Sequence, residues 1–189
     1  MPLGSSSSLR VYSHWNVKEV FDVISSVQES VVIVQSWVGE ATALASYIGD
    51  ASRESNKVLK VDIYMLDPDR PFGGQRHAEV DGYPDGTEMV WREKFREKFK
   101  GAAETLKRHL SGVQNINLTI YKYATMPELR MYIVDGREFI FSWFPVKGPA
   151  SQSICFHLAA NSTVREDLLI VERLRSQLEG IHKASQATE

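Results

Sequence analysis

The chain has 189 residues, 43% hydrophobic and 24% charged, with 22 Lys and Arg against 24 Asp and Glu. That length suits one domain with a substantial core, and the composition is that of a soluble globular protein rather than a disordered one. A net charge of −2 argues against a protein built mainly to coat nucleic acid.

The lone cysteine, Cys155, rules out an intrachain disulfide, and its apolar neighbours Ile154 and Phe156 make it an expected core residue. No Cys/His cluster has zinc spacing, so neither a metal nor a cofactor is expected. No apolar run approaches the ~18 residues of a membrane span. Without a basic-then-apolar leader the expected location is cytoplasmic, and the glycosylation-like triplets at Asn117 and Asn161 are read as accidental.

Residues 1–8 contain Pro-Leu-Gly-Ser and a serine run, which resemble a scar left by cleavage of an expression tag. The expected domain therefore runs from 9 to 182, followed by a flexible tail over 183–189. Residues 9–15 read as a short edge strand. Over 16–27, Val17, Val20, Phe21 and Ile24 recur at helical spacing behind Asn16, an N-cap residue. Residues 31–37 begin as a continuous apolar run, as in a strand covered on both faces. A helix over 39–53 and a second buried strand over 58–66 complete a βαβ unit, whose strands are expected to be parallel neighbours.

Residues 67–86 are rich in Pro, Gly and Asp without periodicity. The best helix lies within 86–110, where Trp91, Phe95, Phe99, Ala102, Leu106 and Leu110 form one stripe and Gly112 is the expected stop. The interleaved charges of 92–100 read as its solvated face rather than a nucleic-acid groove. A strand over 114–123 carries Ile116, Leu118 and Ile120 on one face. A hairpin over 129–144, a strand over 151–158 and a final helix follow. Thr163 and Glu166 have capping-box spacing, and Val164, Leu168, Val171, Leu174, Leu178 and Ile181 form the stripe. The fold class is α/β: a single-domain mixed sheet, parallel in its first half and built of hairpin strands in its second, flanked by helices.

The hairpin segment is the most informative part of the chain. Alternation places Glu128, Arg130, Tyr132 and Val134 on one strand face and Leu129, Met131 and Ile133 on the other, before an Asp135-Gly136 turn. The spacing Glu128-x-Arg130-x-x-x-x-Asp135 resembles the His-x-Lys-x-x-x-x-Asp signature of phospholipase D-like phosphodiesterases. The resemblance implies a mixed sheet with helices on both faces over most of 10–180. It implies metal-free chemistry at Glu128, Arg130 and Asp135, and a homodimer in which two single signatures meet.

The nucleophilic His is replaced by Glu128, and the Gly-Ser-x-Asn that often follows the Asp reads Ser142-Trp-Phe-Pro145. The implied protein is a degenerate member of that family, a binding or regulatory module for an anionic ligand such as a nucleotide or phosphorylated small molecule. Domains of this look occur in bacterial regulatory and defence proteins. The alternatives are a metal-independent phosphodiesterase or nuclease with His157 as replacement nucleophile, and a dimerisation scaffold.

Arg130 suits bidentate grip of a phosphate. Trp37 and Asp67 follow the two parallel strands, at the ends where open α/β sheets bind ligands. Arg76 is expected to join Arg130 in one pocket, with Tyr132 beside them. His109 and His182 fall near helix C-termini, while His14 and His157 fall on strands.

Overall fold

Twelve elements follow one another in the computed structural model, which describes residues 8–55, 57–70, 88–125, 129–143, 152–160 and 164–188. They are β1 (Arg10–Tyr12), α1 (Val17–Ile24), β2 (Ser30–Gln35), α2 (Ala41–Glu54), β3 (Leu59–Leu66), α3 (Glu88–Leu110), β4 (Ile116–Tyr123), β5 (Leu129–Val134), β6 (Glu138–Trp143), β7 (Cys155–Ala159), α4 (Arg165–Lys183) and β8 (Ser185–Ala187). The strands form one mixed sheet in the order β1-β7-β6-β5-β2-β3-β4-β8. β2, β3 and β4 are parallel, as the βαβ reading requires; β5, β6, β7 and β1 add antiparallel on one side.

Strand alternation divides the core into two layers. Ile33, Val61, Ile63, Ile120, Tyr132 and Ile140 face α1, α2 and most of α3. Val34, Tyr64, Met131, Phe139, Phe141 and Leu158 face the other way, beneath Val171 and Leu174 of α4. β5 alternates as its sequence predicts, with Tyr132 and Val134 in the first layer and Leu129, Met131 and Ile133 in the second. Asn16 caps α1, its Oδ1 accepting from Glu19 N at 3.2 Å. The hairpin turn has positive φ at Asp135 (52°) and Gly136 (63°), and Arg137 N donates to Val134 O at 2.9 Å. This mirror-image turn matches the strand twist, and Asp-Gly tolerates it best.

Several expectations differ from the structure. The tail expected after His182 instead forms β8 on the open edge of β4, and Thr188 N adds a bond to Ile120 O at 2.7 Å. Pairing satisfies backbone groups on an edge that periodicity does not reveal. Thr163, the expected capping residue, lies outside the described residues; α4 starts behind Val164 as N-cap. In the first turn of α4, Asp167 is buried while Leu168 stays 40% exposed. The Asp167 carboxylate accepts from the N–H and hydroxyl of Ser8 at 2.8 and 3.3 Å, which draws it inward. α3 ends at Leu110 as expected, but the left-handed residue after it is Asn115, not Gly112. His14 lies in the bend after β1, off the strand.

Candidate anion-binding site

α1 leads into the start of β2, and α2 leaves its end, so both helices begin near the carboxyl edge of the parallel strands. Backbone N–H groups and partial positive charge gather at such an edge. β5 runs antiparallel to β2 with Val34 opposite Met131, which brings Arg130, the next residue, to the same edge. Arg130 pairs with Ser142 on β6 and faces the α1–α2 layer.

The Arg130 side chain is buried, the residue 7% exposed, and its guanidinium carbon lies 3.5 Å from the centre of the Trp15 indole. Trp15 is itself buried and immediately precedes the Asn16 cap of α1. Its ring tilts against Tyr132 at 5.7 Å, and Gln35 Nε2 donates to the Tyr132 hydroxyl. Burial pushes the Tyr132 phenol well above its usual range; Glu40, at the start of α2, pushes the same way and Arg130 opposes. Burial likewise raises the Cys155 thiol, against the Asn16 backbone and Arg130. Cys155 is therefore a neutral core thiol rather than a nucleophile. Ser36 after β2 and Ser153 before β7 have buried hydroxyls with no hydrogen-bond partner among the described residues.

Among the described residues, the remaining predicted site residues disperse. Glu128 and Arg76 lie outside the described residues. Trp37 lines a cavity of about 350 Å³ with Gly39, Thr42, Lys98 and Thr105; Lys98 Nζ lies 4.8 Å from the Trp37 ring centre. Asp67 makes a turn, its Oδ1 accepting from Asp69 N at 3.0 Å and its backbone O from Arg70 N at 3.2 Å.

Asp135 stands at the far end of β5, five residues and roughly 16 Å from Arg130. There its carboxylate accepts from the N–H groups of Gln28, Glu29 and Ser30 at 3.0, 2.8 and 2.9 Å. Asp135 and Arg130 are thus not brought into one constellation. His157 lies two strands over and two residues along from Arg130, roughly 12 Å away. Both of its ring nitrogens already meet carboxylates, Glu19 and Glu138.

Trp15, Glu19 and Glu138 belong to no motif that marks these roles. Only the position of Trp15 beside an N-cap residue sets it apart.

Burial raises the Glu19 carboxyl, but bonds from His157 and Tyr12 and the charges of His157 and Arg10 outweigh it, leaving it below its ordinary value of 4.5. A depressed carboxyl stabilises the fold above its unfolded value, and that contribution fades as pH falls through the lower folded one. Glu19→Gln is expected to be less stable than wild type by about 1–2 kcal/mol at neutral pH. Urea melts should show the gap closing as pH drops below 4.5; a gap constant to lower pH would contradict this.

No protein-family model matches the sequence, and no curated protein matches it. Solved structures do match. Nuc from Salmonella typhimurium, a phospholipase D family member, aligns over 97% of this chain and 99% of its own at 11% identity, TM-score 0.54. Phosphatidylserine synthase from Haemophilus influenzae Rd KW20 aligns over the whole of this chain and 41% of its own at 12% identity, TM-score 0.60. The archaeal chromatin protein TrmBL2, whose structure shows a novel mode of DNA binding, matches over the whole of this chain and 57% of its own at 11% identity, TM-score 0.51.

The chain has a phospholipase D-like fold. Nuc is covered almost end to end, so a single phospholipase D-like unit spans this chain. The mixed sheet flanked by helices agrees with the expectation drawn from the hairpin segment. Among the described residues no helix is long and apolar enough to cross a membrane.

Proposed function

We propose that this chain is a phospholipase D-like pseudoenzyme, a cytoplasmic binding or regulatory module that grips an anionic, phosphate-containing ligand through Arg130. The observation that carries this reading is the buried Arg130 guanidinium stacked on Trp15, at the sheet edge where α1 and α2 begin. Stacking uses the face of the guanidinium, while its donors lie in the plane, in a fork that matches two phosphate oxygens. Ser36 and Ser153 offer hydroxyls at the same edge.

Turnover has less support. Asp135 serves the backbone at the opposite edge, and His157 is engaged on both nitrogens away from Arg130. A nucleophile needs a base within hydrogen-bond reach and an open approach.

The test joins two assays. Hydrolysis of a generic phosphodiester in EDTA is expected to stay at buffer level for wild type, Arg130→Ala and Glu128→Gln, while calorimetry detects phosphate binding to wild type. Turnover by wild type that both variants lose would instead establish an enzyme. Neither turnover nor binding would leave a scaffold. A homodimer is part of the proposal, and light scattering that finds a monomer at micromolar concentration would remove it.

A further inference from the structure

His157 occupies the middle of β7, opposite Ile140 of β6 and Arg10 of β1. Its Nδ1 lies 2.7 Å from Glu19 Oε1 on α1, and its Nε2 lies 2.7 Å from Glu138 Oε2 at the start of β6. The imidazole side chain is only 9% exposed. A neutral imidazole has one N–H, yet two carboxylates sit at hydrogen-bond distance. The imidazolium donates to both; the neutral ring turns a lone pair towards one of them.

The surrounding charges fit the imidazolium. Arg10 Nη1 from β1 reaches Glu19 Oε1 at 3.3 Å, and Tyr12 from the same strand bonds Glu19. Cys155, two residues back on β7, is a buried thiol. Two carboxylates, the imidazolium and Arg10 sum to zero, and loss of the proton leaves a net negative cluster around the buried imidazole.

This clip has a lever attached. Glu19 is the third residue of α1, and its N–H donates to the Asn16 cap. Trp15, the next residue back, covers the Arg130 guanidinium. The sheet therefore holds the first turn of α1 through Glu19, and that turn holds the indole on Arg130.

We propose that His157 is a positioning residue that couples protonation to anion binding at Arg130. Its imidazolium holds the first turn of α1 on the sheet and Trp15 on the guanidinium, and its deprotonation loosens both. This rests on reading Arg130 as the anion site.

The discriminating variant is Glu138→Gln, because its amide can donate to the bare Nε2 of a neutral ring whose Nδ1–H still serves Glu19. Sulfate is the probe, since it does not titrate between about pH 6 and about pH 9, where imidazoles do. By calorimetry, wild-type affinity for sulfate is expected to fall about tenfold across that range, and that of Glu138→Gln less than about twofold. In 5-fluorotryptophan protein, the Trp15 resonance, assigned with Trp15→Phe, should move with the His157 ring ¹⁵N titration in wild type and stay still in Glu138→Gln. Parallel sulfate profiles in the two proteins, with a static Trp15 resonance, would overturn the coupling. If sulfate binds at no pH, the anion-site reading fails on its own. The Trp15 resonance then still decides the clip: movement with His157 supports it and stillness overturns it.

Discussion

Arg130→Ala is expected to weaken phosphate binding about a hundredfold, and Arg130→Lys about tenfold. Truncating one partner of a buried, charge-assisted contact costs about 2–5 kcal/mol, and a hundredfold loss is about 2.7 kcal/mol. Lysine keeps the charge but loses the planar fork and the stack on Trp15. Stability should fall as well, by about 1–2 kcal/mol for alanine, since a desolvated cation–π pair and its packing are lost. Calorimetry at fixed ionic strength, with urea melts on the same samples, separates the two effects. A folded Arg130→Ala protein that binds phosphate as wild type does would dismiss Arg130 as the anion grip.

Asp135→Ala is expected to cost about 3 kcal/mol of stability while leaving phosphate affinity in the folded fraction unchanged. The Asp135 carboxylate accepts from three successive N–H groups, those of Gln28, Glu29 and Ser30, where the chain enters β2. Bonds to a charged acceptor contribute about 1.5–3 kcal/mol, less where water can replace them. Asp135 also holds φ at 52°, a region that alanine enters at about 1–2 kcal/mol. Asn, which tolerates that φ and keeps one acceptor oxygen, should lose about half as much. Urea denaturation measures both variants. A stable Asp135→Ala protein that no longer binds phosphate would return this residue to the chemistry and refute its structural assignment.

The contrast between these two residues shows what the sequence could disclose. Period-two alternation in β5 and the Asp-Gly turn are local, so the hairpin and its faces were legible. The parallel β2–β3 pair followed from apolar runs around a helix. The resemblance in 128–135 is one of spacing alone and does not disclose what Arg130 and Asp135 touch. Asp135 meets Gln28, Glu29 and Ser30 more than a hundred positions away, and no periodic pattern marks such a bond. Trp15 reads as the end of a strand until the topology lays α1 across β5. His157 reads as a reserve nucleophile until Glu19 and Glu138 close on both its nitrogens. β8 is not legible in the sequence because Ser185, Gln186 and Ala187 have no strand-like apolar pattern; their pairing depends on the vacant edge of β4.

The first and last of the described strands, β1 and β8, are the two borders of the sheet. Seven interstrand gaps of about 4.8 Å separate them, roughly 34 Å before twist. A chain segment bridging the two borders would need about ten extended residues or more. The same separation suits an energy-transfer pair: dyes at Arg10 and Thr188 would span the full width of the sheet, and the loss of either border would register as a change in that single distance.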